Sequence, residues 1–125
     1  VTELFGNTPL GIVQFPLLEV PFYHSRIDGV NPAVADNLDL IWPGYREIAG
    51  SGHRVRSVNE LESKAATFNL PREDYQPYMQ SRKLAHYTET SGFGVGWERL
   101  LQGVLKTPYI WSTSLFPRGH NTLKP

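Results

Sequence analysis

A run of alternating glycines, Gly92-Phe93-Gly94-Val95-Gly96, leads straight into Trp97-Glu98-Arg99-Leu100-Leu101, and no other stretch constrains the chain as much. Phe93, Val95 and Trp97 recur with a period of two, which predicts a short strand with one packed face. From Glu98 to Lys106, helical spacing gathers Leu100, Leu101, Val104 and Leu105 on one side, which predicts an amphipathic helix. The glycines would let a flat ligand approach the backbone closely. Arg99, in the first turn of that helix, supplies a planar cation suited to phosphate or to stacking on a ring. A glycine-alternating strand packed under a helix is also common without any ligand. The order strand, Glu-Arg-Leu, amphipathic helix is the more specific signal.

The flanking sequence supplies further elements. Residues 9–15 (PLGIVQF) predict a strand stopped by Pro16, and residues 20–26 (VPFYHSR) a second before the Asp28-Gly29 turn. Residues 34–42 alternate around Leu38 and Leu40, Pro43-Gly44 breaks them, and residues 45–50 resume as a strand, so a hairpin is expected there. Ser57 with Glu60 three positions later forms a capping box, opening a helix to about Phe68 with Val58, Leu61, Ala65 and Phe68 inward. A second helix starts at Arg72-Glu73-Asp74 and runs to about Leu84, with Tyr75 and Tyr78 as packing residues. Hairpin-paired strands with grouped helices define an α+β class, an antiparallel β-sheet flanked by helices.

The bulk properties exclude several functions. Twelve basic residues balance twelve acidic ones in a chain of 125, so no overall field recruits nucleic acid or an anionic membrane. Without cysteine there is neither disulfide nor thiolate metal site. No apolar run reaches membrane-spanning length and the start lacks a signal-peptide pattern, so a cytoplasmic protein is expected. The length suits a single domain, or part of one, and a first residue Val1 in place of methionine fits trimming, maturation or a piece of something longer. His24, His53, His86 and His120 show no metal-ligand spacing. Arg72, Arg82 and Lys83 are expected on a solvated helix face, with an acidic or phosphate-bearing partner as the alternative.

Two stretches together resemble one family. The run from Gly92 to Leu100, followed by Pro108 and Leu115-Phe116-Pro117-Arg118, is similar to motif 3 of class II aminoacyl-tRNA synthetases. The run from Asp39 to Arg54 (DLIWPGYREIAGSGHR) resembles the Asp-Leu-x-x-Pro-Gly-x-x-Glu-Ile-x-Gly-x-x-x-Arg of the asparaginyl branch, and residues 16–23 (PLLEVPFY) resemble what precedes it. The likeness covers nearly the whole chain in order. It implies the C-terminal portion of such a core, residues 1–125. Motifs 1 and 2 would come from an upstream segment, or from a second chain.

The same likeness assigns roles. Asp39 and Glu47 stand eight apart on neighbouring strands of the expected hairpin, so their carboxylates can converge, and magnesium shares such oxygens with substrate phosphates. By resemblance they would hold the metal of a magnesium–ATP complex, with Glu47 and Arg99 catalytic. Arg99 would contact ATP, and Gly94 and Gly96 would floor the adenosine. Arg54 would grip the amino-acid side chain, a fork of donors suiting a carboxylate or a carboxamide oxygen. The implied activity is ATP-dependent activation of asparagine or aspartate, followed by transfer to tRNA, by a homodimer or a heteromeric pair.

Departures from the family pattern point to other outcomes. Arg46 replaces a glycine before Glu47, Gly50-Ser51-Gly52-His53 replaces Gly-Gly-Ser-Gln, Glu89-Thr90 replaces Pro-His, and Tyr109-Ile110-Trp111-Ser112 replaces Asn-Ile-Arg-Asp. A paralogue making an amide or asparagine from a small acid, or a non-catalytic partner-binding half, are the alternatives these substitutions leave open.

Overall fold

The structure, a computed structural model, describes residues 2–117. Arg118, the last residue of the motif 3 likeness, and His120 lie outside the described residues. In chain order the elements are α1 (Thr2–Phe5), β1 (Leu10–Val13), β2 (Asn37–Trp42), β3 (Arg46–His53), α2 (Val58–Thr67), α3 (Arg72–Gln80), β4 (Ser91–Val95) and α4 (Trp97–Leu105). Short 3-10 turns follow α3 at Ser81–Lys83 and α4 at Ile110–Thr113. The strands form one antiparallel four-stranded sheet in the order β1-β2-β3-β4, which is the expected α+β class. The chain divides into two compact units, residues 2–12, 39–50 and 94–117 in one and residues 13–38 and 51–93 in the other.

In the first unit, β2 and β3 are joined through Pro43-Gly44, and Gly44 takes φ +88°, a left-handed turn position that glycine fills without steric cost. The α4 helix lies against this hairpin. Gly103 is buried under Trp42, where a β-carbon would stand 2.7 Å from the indole ring. The Trp42 indole N–H donates to the carbonyl of Asn7 at 3.0 Å, which fixes the ring. Lys106 ends α4 in the left-handed conformation, at φ +53°. Thr113 Oγ1 then donates to the carbonyl of Glu98, returning the 3-10 turn to the helix start.

The second unit holds the larger core. Phe22, Val55, Leu61, Ala65 and Met79 are buried together, with Tyr23, Phe68, Leu70, Tyr75 and Tyr78 packed around them. The capping box forms: Ser57 Oγ accepts from the Glu60 backbone N–H, satisfying a donor that the first turn cannot pair. Leu61 and Ala65 face inward as their spacing dictates, and Val58 and Phe68 are half-buried.

Several expectations are corrected. Residues 20–26 form no strand. Pro21 lacks the N–H a ladder needs, its carbonyl accepts from His24 in a turn, and only isolated bridges remain, from His24 to Arg54 and from Arg26 to Ala35. Phe93 and Val95 alternate on β4 as predicted, but neither is packed, Phe93 being 78% exposed. Trp97 begins α4 instead of ending the strand. Of the four apolar residues expected on one side of α4, Leu100 and Leu101 turn partly inward, whereas Val104 and Leu105 are exposed. Arg82 does not sit on a solvated face. It lies over the Tyr78 ring at 3.7 Å and donates to the carbonyls of Val55 and Tyr78. No described helix is long and apolar enough to cross a membrane.

Candidate functional site

The first unit brings together five of the residues singled out from the sequence: Asp39, Glu47, Gly94, Gly96 and Arg99. Asp39 projects from β2 and Glu47 from β3, and the bare α-carbon of Gly50 lets them meet. A β-carbon on Gly50 would stand 2.9 Å from Glu47 Oε1 and 3.3 Å from Asp39 Oδ1, so both carboxylate oxygens lie over one point of the backbone. Burial first, and then the charge of Glu47, push the Asp39 carboxyl above its ordinary value of 3.8. Two carboxylate oxygens brought this close form a site suited to a cation.

Among the described residues no group of three or more acidic or histidine side chains converges. Magnesium does not need one, because it commonly takes one or two carboxylates and completes its shell with water and substrate phosphates. The pair over Gly50 fits that requirement. Arg46, beside Glu47, is exposed and takes φ +67°.

Arg99 sits in the first turn of α4 and donates from Nη1 to the carbonyl of Glu47 at 2.8 Å. One N–H of its five is thereby used, and the fork is tied to the strand that carries Glu47. The Gly96 N–H donates to the carbonyl of Ile48 at 2.9 Å, and its α-carbon faces the Arg99 stem. Gly94 has nothing within 4 Å of where a β-carbon would be, leaving the strand open to a flat group. This arrangement can hold a polyphosphate bearing a divalent cation, with a ring over the glycines.

The sixth residue, Arg54, belongs to the second unit. Its backbone N–H donates to the carbonyl of Thr90, and its guanidinium lies against β4 at Gly92, where a β-carbon would come within 2.8 Å of Nη2. The guanidinium carbon lies 4.5 Å from the centre of the Tyr23 ring. Arg54 opens on a cleft of about 1090 Å³ within this unit, shared with His53, Arg56, Lys64, Tyr87 and Glu89. Glu89 pairs with Arg56 at 3.3 Å and stands 4.0 Å from His53 Nε2, while His53 Nδ1 is 3.3 Å from Ser91 Oγ. Burial lowers the Lys64 ammonium from its usual value, and its Nζ donates to the carbonyl of His24.

The sequence carries no sign that Tyr23 and Gly92 border Arg54, or that Gly50 lies under the carboxylate pair. Tyr23 and Arg54 are far apart in sequence and meet only through the fold, so no spacing signals the pair. The glycines were visible in the motifs, but the close approach that requires them shows only in three dimensions.

Three comparisons define the relatives. The family model described as tRNA synthetases class II (D, K and N) matches residues 2–120. The asparagine–tRNA ligase of Mycoplasmopsis pulmonis is 32% identical over 99% of this chain, and that of Clostridium botulinum is 34% identical over 98%. Among solved structures, the asparaginyl-tRNA synthetase of Entamoeba histolytica in complex with asparaginyl-adenylate superposes with a TM-score of 0.85 at 31% identity, over 99% of this chain. The chain spans only 26–28% of these relatives' lengths. With that family model matching nearly the whole chain, the chain belongs to the class II tRNA synthetase family of the D, K and N group.

Proposed function

We propose that the protein carrying this chain activates asparagine with ATP to asparaginyl-adenylate and transfers the acyl group to tRNA. The observation that carries the reading is the convergence of Asp39 and Glu47 over Gly50, in the unit that also holds Arg99. The resemblance to asparagine–tRNA ligases over almost the full chain supports asparagine as the amino acid. In the reaction a carboxylate oxygen of the amino acid bonds to the α-phosphorus of ATP and the bond to pyrophosphate breaks. The acyl carbon then passes to a tRNA hydroxyl and AMP leaves.

This chain's residues contribute positioning and charge, with no side-chain nucleophile. Asp39 and Glu47 would hold magnesium, which when bound supplies charge neutralisation on the phosphates. Arg99 places its remaining donors on ATP, oriented by its bond to Glu47. Gly94 and Gly96 give the adenosine a flat floor. Arg54 offers donors to the side-chain oxygen of the amino acid. Motifs 1 and 2, the dimer contacts and the tRNA contacts fall to the rest of the polypeptide or a partner chain.

A second reading, a paralogue that activates a different small acid, has one observation in its favour. Glu89, held by Arg56 and standing beside His53, puts a carboxylate on the Arg54 cleft. Amino-acid-dependent ATP–pyrophosphate exchange by the full-length protein separates the two. Exchange with asparagine, lost on Arg54→Ala through a rise in asparagine KM at unchanged ATP KM, supports the first reading. Exchange only with another acid supports the second, and equal loss of both affinities contradicts the role of Arg54.

A further inference from the structure

We infer that Tyr23 is a positioning residue for amino-acid recognition, its ring face holding the Arg54 guanidinium in the orientation that receives the substrate side chain. The inference rests on the role given above to Arg54 and adds a residue to which that reading assigns nothing.

A substrate-binding arginine has two needs that conflict. It must be held still, and its donors must stay free for the ligand. A carboxylate partner would satisfy the first need by occupying the fork. Among the described residues Arg54 has no such partner, since none of the ion pairs includes it. An aromatic face holds the cation without consuming hydrogen-bond geometry. Tyr23 supplies that face at 4.5 Å, and the backbone at Gly92 supplies a second contact. Arg54 Nη1 is buried and makes no hydrogen bond, a cost that falls on this guanidinium unless a π face or a ligand offsets it.

The ring is itself immobilised. It meets Phe22, His24 and Tyr78 edge to face at 5.6, 5.0 and 6.4 Å. The carbonyl of Tyr23 accepts from the Val55 N–H at 2.9 Å, and Arg54 is anchored next to it by the bridge to His24. The imidazole of His24 stays neutral at physiological pH, so the third side chain at this junction does not repel the guanidinium. The group that touches substrate is Arg54, and Tyr23 acts through it.

The test is a substitution series at position 23 in the full-length protein, using phenylalanine, phenylalanines with progressively fluorinated rings, and leucine. Fluorine keeps the ring's shape while draining its face of negative potential, so folding is preserved where leucine disturbs it. We expect Tyr23→Phe to keep the wild-type asparagine KM and each added fluorine to raise it. Tyr23→Leu should reach roughly tenfold, with ATP KM unchanged throughout. By nuclear magnetic resonance, the Arg54 Nε–H proton should carry a ring-current shift in the wild type and the phenylalanine variant and lose it with leucine.

A flat asparagine KM across the fluorinated series overturns the inference, as does a parallel rise in ATP KM. If Arg54→Ala behaves as expected while the series is flat, only the role of Tyr23 falls. If Arg54→Ala leaves asparagine KM unchanged, the reading of Arg54 falls and this inference with it, even if the ring-current shift persists.

Discussion

Asp39→Asn removes one charge from the carboxylate pair and keeps the side chain's size, so it separates a metal site from two structural acids. Oδ1 of Asp39 and Oε1 of Glu47 lie 3.3 and 2.9 Å from a single point above Gly50, close enough to repel when both are ionised. The carboxyl of Asp39 is raised above 3.8 by burial and then by Glu47. A carboxyl with a raised folded pKa binds its proton more tightly folded than unfolded. It therefore favours the fold at low pH, and that contribution is lost as pH rises from 3.8 through the folded value. Above that folded value the repulsion is fully present. Glu47 is exposed and solvent screens it, so the cost is that of like charges on adjacent strands, roughly 0.2–1 kcal/mol.

The Asp39→Asn variant is thus expected to be as stable as the wild type at pH 7 without magnesium, or more stable by up to about 1 kcal/mol. The magnesium concentration needed for half-maximal ATP–pyrophosphate exchange should rise at least about tenfold, since losing even an outer-shell partner has that effect at metal sites. Urea denaturation without magnesium and a magnesium titration of exchange measure the two quantities. A variant destabilised without magnesium, yet unchanged in its magnesium requirement, would refute the carboxylate pair as a metal site.

Two further outcomes test the fold around the site. His24 is buried and its pKa is lowered from 6.5 to about 4, chiefly by burial and then by Arg54 and Lys64, so the folded protein resists a proton that the unfolded chain accepts. Stability should be complete above pH 6.5 and fall on the order of 3 kcal/mol toward pH 4, and His24→Met should flatten that fall; identical pH profiles in urea denaturation would contradict this. Gly103→Ala adds a β-carbon 2.7 Å from the Trp42 ring, which is pinned by its bond to Asn7. Overpacking of about 1–3 kcal/mol should exceed a helix-propensity gain of up to about 1, and a variant more stable than wild type in urea would contradict the packing of α4 on β2.

How much of this was legible in the sequence differs from element to element. The Ser57 cap and the Pro43-Gly44 hairpin depend on residues a few positions apart, and both stand as read. The carboxylate pair was legible for the same reason, because a hairpin fixes which residues of its two strands face each other. Residues 20–26 failed as a strand because their apolar character serves a core of rings around Phe22, not a ladder. The alternation of Phe93 and Val95 correctly marks one face of β4, but periodicity cannot say what covers that face, and both side chains are exposed. Val104 and Leu105 fall to the same ambiguity. Arg82 was misplaced because a cation at the end of a helix looks the same in sequence whether it meets water or the rings of Tyr78 and Tyr87. Arg54 was singled out through its motif, whereas the Tyr23 ring beside its guanidinium lies far upstream and carries no local sign.

Arg99, tied to the carbonyl of Glu47, is proposed as the chain's grip on ATP. Calorimetric titration of magnesium–ATP into the full-length protein, wild type and Arg99→Ala, tests it most directly. Arg99→Ala should weaken ATP binding by at least about tenfold, the scale of a lost charge-assisted hydrogen bond to phosphate, with the folding transition and the far-UV spectrum unchanged. An unchanged ATP affinity in a correctly folded Arg99→Ala protein would contradict it.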